Sequence, residues 1–234
     1  MLIIPTLNER DNIATLVSRV RASAGAQPIL FVDDGSPDGT ADEVARLQKD
    51  DSQIHLLRRV NQRGYASACR DGMRKILHEN LADYVIQADA DLSHPPEALP
   101  IMLKLLKTHP VVIGSRYVAG GGARNWGLRR RLLSSCGNHY ARLLTGVPVR
   151  DMTAGFVGYH ASVLRSIDLD GVSSEGYAFL MELKFLLHRR GVSFYEFPIV
   201  FTEREAGKSK FSSRIMLEGV QFPLRALQRR ITLS

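Results

Sequence analysis

Residues 29–47 read ILFVDDGSPDGTADEVARL, and this stretch decides the fold. Ile29-Leu30-Phe31-Val32 is a short, unbroken apolar run, the pattern of a strand covered on both faces. It ends at Asp33-Asp34-Gly35-Ser36, a set of turn formers, and a helix from about Thr40 to Leu47 follows. The same succession recurs on either side. Leu2-Ile3-Ile4-Pro5 reads as a strand, and from Asn12 to Ala22 the residues Ile13, Leu16, Val17 and Val20 fall at helical spacing. Further on come a strand at Ile54 to Leu57, a helix at Tyr65 to His78 and a strand at Tyr84 to Gln87. Pro95-Pro96-Glu97 starts a helix, with proline in the first turn where its missing N–H does no harm, and Val111 to Ile113 is another strand. Apolar strands alternating with amphipathic helices predict βαβ units, and hence an α/β fold with a mostly parallel, Rossmann-like central sheet flanked by helices.

Beyond Arg116 the pattern loosens into Gly120-Gly121-Gly122, read as a flexible run, and then a basic helix. A strand-like Gly155 to Tyr159, a helix from Tyr177 to Arg190 and a strand from Ser193 to Val200 follow. In the tail, Ile215, Met216, Val220, Phe222, Leu224, Leu227 and Ile231 alternate with Arg214, Arg225, Arg229 and Arg230. That is a basic amphipathic helix, which can lie on an anionic membrane or pack its apolar face on the domain.

Polar residues close three strands at what should be one sheet edge: Thr6-Leu7-Asn8-Glu9, Asp33 to Ser36, and Asp89-Ala90-Asp91. Ligands of open α/β sheets bind at the carboxyl ends of the strands. One such cluster could be a helix cap, but three together point to a ligand site. In an extended chain Asp89 and Asp91 project to the same face, because side chains alternate with period two. Two carboxylates on one face call for a cation, and hard oxygen ligands suit Mg²⁺ or Mn²⁺, which share their shells with substrate phosphates.

The 234 residues allow one domain with a sizeable core, and a charge of +7 is compatible with an anionic partner or with a merely soluble basic surface. Cys69 and Cys136 have neither metal nor redox spacing, which predicts reduced thiols in a cytoplasmic protein. No basic-then-apolar leader and no apolar run of about 18 residues occurs, which predicts neither export by a signal peptide nor a membrane span. Of the positive charge, Arg116, Arg124, Arg129, Arg130 and Arg131 form one group, and Arg204, Lys208 and Lys210 another. Such clusters are either solvated faces or a phosphate cradle, to which arginine's planar fork is suited.

IIPTLNERDNI, FVDDGSPDGT, RGYASACRDG, DADLSHPPE, GSRYVAGG, RDMTAGF and GKSKF, in that order to Phe211, resemble glycosyltransferase family 2. Within it they resemble the polyprenol-phosphate (dolichol-phosphate) mannose synthases. The resemblance implies a GT-A fold over residues 1–211, with a nucleotide-sugar half at 1–115 and an acceptor half at 116–211, and the amphipathic helix at 212–234. It also implies that Pro5, Leu7, Glu9, Val32 and Asp34 hold the nucleoside, and that Asp89, Ala90 and Asp91 face the ribose, diphosphate and metal. Where the family's stretch often reads D-A-D-L-Q-H-P-P-E, this chain has Ser93, whose hydroxyl can coordinate a metal directly or through water but reaches less far. Arg116, Arg130 and Ser134 are selected as ligands of the acceptor phosphate, and Arg204, Ser209 and Lys210 as parts of a mobile loop closing over both substrates. Asp151 is read as site-lining or structural, and His94 as a capping or packing residue. Trp126 is read as core or lipid contact more readily than as a stacking platform.

The expected activity is inverting transfer of mannose from GDP-mannose to a polyprenyl phosphate at the cytoplasmic face of a membrane. Attachment would be peripheral or through a separate anchoring protein, and nucleic acid is not an expected partner. The alternatives are the same fold with UDP-glucose or a saccharide hydroxyl as substrate, and a non-catalytic nucleotide-binding partner of a membrane complex.

Overall fold

The computed structural model describes residues 1–60, 63–202 and 213–231. Its centre is a seven-stranded sheet of β1 (Leu2–Thr6), β2 (Ile29–Asp33), β3 (Ile54–Arg58), β4 (Tyr84–Gln87), β5 (Val111–Ser115), β7 (Val157–His160) and β8 (Tyr195–Pro198). The order is β3-β2-β1-β4-β7-β5-β8. Only β7 runs antiparallel, pairing with β4 on one side and β5 on the other. The sheet is therefore mostly parallel, as the alternating pattern predicts. The strand from the second half of the chain is wedged between two from the first, so both halves share one sheet.

Helices α1 (Arg10–Ala24), α2 (Thr40–Gln48) and α3 (Tyr65–His78) cross between the first strands. A 3-10 turn at Pro96–Ala98 leads into α4 (Leu99–Leu105). Then come α5 (Leu128–Thr145), the short α6 (Ala161–Arg165), α7 (Gly176–Arg189) and α8 (Ser213–Ile231). One apolar cluster packs α1 and α4 on one face of the sheet, through Ile13, Leu16, Val17, Val20 and Met102 against Ile4, Phe31 and Ile86. On the other face, α3 and α7 bring Cys69, Met73, Ile76, Phe179, Leu183 and Phe185 against Ile3, Val32 and Tyr159. Completely apolar strands follow directly from this two-sided covering.

Two details depart from the sequence reading. The strand expected from Ser193 to Val200 breaks at Ile199, whose N–H bonds to Ser115 O (3.0 Å), and the chain leaves the main sheet to form β9 (Val200–Thr202). There β9 pairs with β6 (Gly122–Arg124) in a separate two-stranded ribbon. The Gly120–Gly122 run is a packed turn: a side chain at Gly121 would meet Ser115 O at 2.5 Å, and Gly120 has φ +85°. Helix α8 packs on the domain, burying Phe222 and Ala226, with the Phe222 ring edge-on to Phe185 at 6.1 Å. Among the described residues no helix is long and apolar enough to cross a membrane. Cys69 and Cys136 are both free thiols.

Candidate active site

At the carboxyl end of β2, Asp33 is a structural residue. Its carboxylate accepts the Ser36 N–H (3.0 Å) and the hydroxyls of Ser36 (2.5 Å) and Thr6 (3.1 Å), which ties the β1 and β2 ends together. Asp34 is also buried, and accepts Arg59 Nη1 at 2.5 Å and the Gly64 N–H at 2.8 Å. Burial pushes its carboxyl above the ordinary range, against the opposing pull of the Gly64 N–H and the Arg59 guanidinium. Arg59 is itself buried and also pairs with Asp71 (2.8 Å). Pro5 lies beside Val32 in the sheet register. The Val32 side chain is entirely in the core, so only its backbone is available to a ligand. Glu9 Oε2 accepts from Asn12 Nδ2 (2.8 Å).

The Asp89–Asp91 pair lies in a turn beyond the end of β4, not in extended chain. The period-two argument for a shared face therefore does not apply, and local bonds shape the site instead. Leu92 has φ +60°, a conformation costly for a leucine and one that marks over-determined sites. Ser93 N–H donates to Asp91 Oδ1 (3.1 Å), and Asp89 N–H donates to His94 Nδ1 (3.1 Å). The His94 ring stacks on Phe156 at 5.5 Å, so it packs and caps, as read from the sequence. Tyr65 accepts from Gln87 Nε2 (2.7 Å) and donates its proton to Asp89 Oδ1 (3.2 Å). Burial holds its phenol well above the ordinary range, so it remains a donor.

Asp89 is half-buried, and Asp91 and Ala90 are buried. Ser93 Oγ is buried with no hydrogen-bond partner among the described residues. No group of three or more His, Cys, Asp or Glu is placed to hold a metal among those residues. Two carboxylates and an orphaned hydroxyl nevertheless fit a hard cation that completes its shell with a ligand's oxygens.

Across from this turn, Arg116 follows β5. Its Nε and Nη2 bond the two oxygens of Asp151 (2.8 and 2.6 Å), its N–H donates to Oδ2 (2.9 Å), and Nη2 also reaches Thr153 Oγ1 (2.8 Å). Asp151 is completely buried and aims Arg116, whose Nη1 has no hydrogen bond among the described residues. The guanidinium carbons of Arg116 and Arg130 lie 5.4 and 4.4 Å from the Trp126 ring centre. Trp126 is buried, as its reading as a core residue expects, and its ring also gathers two arginines, the stacking role weighed against that reading. Ser134 Oγ accepts the Tyr117 hydroxyl at 2.7 Å. A cavity of about 270 Å³ opens here, lined by Arg116, Tyr117, Trp126, Arg131, Leu132 and Ser135. Arg204, Ser209 and Lys210 lie outside the described residues.

One ring joins the two regions. Phe201 of β9 is 5.8 Å from His94, 5.6 Å from Trp126 and 5.6 Å from the Arg116 guanidinium. Phe201 therefore links His94, which accepts the Asp89 N–H, to Arg116 and to the Trp126 ring that Arg130 overlies. Sequence reasoning missed Tyr65 and Arg59 because their partners come from distant segments.

Residues 1–168 match the family model described as glycosyl transferase family 2. The chain is 40% identical over 220 residues to the undecaprenyl-phosphate mannosyltransferase of Micrococcus luteus, covering 94% of this chain and 90% of that protein. It is 42% identical over 224 residues to the polyprenol monophosphomannose synthase of Mycolicibacterium smegmatis, covering 94% and 83%. In fold it is similar to glucosyl-3-phosphoglycerate synthase from Mycobacterium tuberculosis, solved with Mn²⁺, UDP and glucosyl-3-phosphoglycerate. That likeness has a TM-score of 0.66 at 16% identity, over 98% of this chain and 78% of that one. It shows the GT-A-like architecture.

Proposed function

This chain belongs to glycosyltransferase family 2, and from that premise we propose that it transfers mannose from GDP-mannose to a polyprenyl phosphate, with inversion at the sugar. The observation that carries this reading is Phe201, which touches His94 beside the acid turn and also Arg116 and Trp126, the ring that Arg130 overlies. On this reading the strand ends at Pro5, Leu7, Glu9, Val32 and Asp34 receive the nucleoside. Asp89, Asp91 and Ser93 would hold Mg²⁺ or Mn²⁺, which when bound offsets the charge of the diphosphate leaving group. Arg116, Arg130 and Ser134 receive the acceptor phosphate.

A phosphate acceptor fits the charge of this site. A sugar hydroxyl needs a base to take its proton in the transition state. A phosphate monoester, with its second pKa about 6, is already mostly dianionic at neutral pH. Asp151, the carboxylate nearest Arg116, is buried and bonded to that guanidinium, so it is not available as a base. Arginines therefore do what this nucleophile requires, which is to position it and offset its charge.

The lipid tail of the acceptor stays in a bilayer, and the α5–α8 surface is where we place peripheral contact with its cytoplasmic face. The test is direct. Incubated with polyprenyl phosphate and either labelled GDP-mannose or labelled UDP-glucose, the protein is expected to carry label from GDP-mannose into the lipid phase. Label from UDP-glucose alone would replace the donor, and label in neither would overturn the assignment.

A further inference from the structure

Lys184 lies on α7 with its side chain entirely buried, and the chemistry above does not use it. Among the described residues its ammonium makes no hydrogen bond to a carboxylate. Nζ donates instead to the carbonyls of Met152 (3.2 Å), Ala154 (2.9 Å) and Leu180 (3.3 Å), which accounts for all three protons. Two of those carbonyls belong to the loop that carries Asp151 and Thr153. The same loop is held from β8: Glu196 accepts the N–H groups of Arg150 (2.8 Å) and Asp151 (3.0 Å), one with each carboxylate oxygen. Glu196 thus holds the N–H groups of residues 150 and 151 and Lys184 the carbonyls of 152 and 154, while the Thr153 N–H goes to Asn138 Oδ1 (3.2 Å). Asp151 and Thr153, between those anchor points, are the two residues that grip Arg116.

We propose that Lys184 and Glu196 are positioning residues for the acceptor phosphate, acting through the Asp151–Thr153 loop to fix where the Arg116 guanidinium points. Burying an ammonium without an ion-pair partner is costly, and a methionine or leucine would fill the same volume. The arrangement makes sense if the loop must hold one geometry. The charges also balance: Arg116 and Lys184 are opposed by Asp151 and Glu196, and the last two are the carboxylates that favour the charged form of Lys184. A misplacement of the order of 1 Å at a binding group is enough to lower activity by about 100-fold, so a looser loop has a measurable cost.

This inference rests on the reading that Arg116 binds the acceptor phosphate, and the test keeps the two apart. Arg116→Ala, Lys184→Met and Glu196→Gln are compared with the unaltered protein, with thermal melting to establish that each is folded. Initial rates are measured against polyprenyl phosphate at saturating GDP-mannose, and the reverse. Lys184→Met is expected to raise the acceptor KM about 5- to 10-fold while the donor KM stays within about twofold. Glu196→Gln, at a half-buried position, is expected to act in the same direction but less strongly, and it decides the matter if Lys184→Met does not fold. Folded variants with an unchanged acceptor KM, or with both KM values raised equally, overturn the inference while Arg116→Ala still raises the acceptor KM. If Arg116→Ala leaves the acceptor KM unchanged, the placement of the acceptor falls, and this inference with it.

Discussion

Tyr65 shows how much of the site depends on single hydroxyls. It relays one hydrogen bond from Gln87 to Asp89, and Asp89 and Asp91 are the residues assigned to the cation. Tyr65→Phe should keep the ring packing and lose that bond. A hydrogen bond to a charged group contributes about 1.5 kcal/mol at the low end, so transfer should fall roughly tenfold, with weaker Mn²⁺ binding in an electron paramagnetic resonance titration. Asp91→Ala should abolish transfer, and EDTA should do so reversibly. Full activity of Asp91→Ala in chelator would remove the metal from the reaction. On the acceptor side, Arg130→Ala should weaken use of polyprenyl phosphate by about 1.5–3 kcal/mol, roughly 10- to 150-fold, and leave nucleotide-sugar binding by calorimetry nearly intact. Equal loss for the nucleotide would move Arg130 to the donor side. Asp89 and Asp91 stand out in the sequence as acids closing an apolar strand, Arg130 is selected by the family resemblance, and their roles are those proposed above. Tyr65 and Arg59 could not be read there, since a tyrosine opening a helix or a second arginine after a strand has no local signature. Their meaning lies in Asp89, 24 positions away from Tyr65, and Asp34, 25 away from Arg59.

At the scale of elements, the alternation of apolar runs and amphipathic segments was legible because both periods are local properties of the chain. The insertion of β7 between β4 and β5, and the pairing of β6 with β9, were not, since strand order is set by crossovers that no single segment encodes. Helix α7 illustrates the same limit: nothing in FLMELKFLL says that Lys184 points inward to cap a loop. Its burial has a pH signature. Desolvation draws the Lys184 ammonium down to about 7 from the ordinary 10.5, with Asp151 and Glu196 opposing and Arg116 reinforcing the shift. Between those values the unfolded chain binds the proton more tightly than the folded one, so unfolding takes up a proton. The contribution of this residue to stability therefore rises with pH from about 7 towards 10.5. The gain should be on the order of 1 kcal/mol between pH 7 and 8.5, seen in urea unfolding as a slope that Lys184→Met lacks. A carbon NMR titration of the lysine side chains should show one midpoint near 7. If every lysine titrates in the ordinary range, Lys184 is more hydrated than its burial implies.

At the scale of the whole molecule, the net charge of +7 has a location. Helices α5 and α8 lie against each other, with the Tyr140 hydroxyl on Val220 O (3.0 Å) and Arg230 Nη1 on Leu144 O (2.9 Å). The inner face of α8 is spent on Phe222 and Ala226, yet Leu217, Val220, Leu224 and Ile231 are exposed at the spacing of a second apolar stripe. Beside it α5 exposes Leu128, Leu132, Leu133 and Leu143. Arg129, Arg131, Arg142, Arg225 and Arg229 are exposed on the same two helices. The tail could be read either as a membrane-surface helix or as a core helix, and the structure buries one apolar face of it on the domain and leaves another exposed. Leu132 and Arg131 also line the cavity at Arg116, so an acceptor whose tail remains in lipid would enter from this side. Each basic residue near an anionic surface contributes roughly 1 kcal/mol, so four or five give reversible binding without a spanning helix. Sedimentation with anionic liposomes at low salt should therefore carry the protein down, high salt should release most of it, and neutral liposomes should bind it poorly. Replacing Leu132, Leu133 and Leu224 together with serine should lower binding at both salt concentrations, because inserted leucines are not screened. If the unaltered protein stays in the supernatant of anionic liposomes at low salt, this surface is covered by another protein, and that protein brings the enzyme to its lipid.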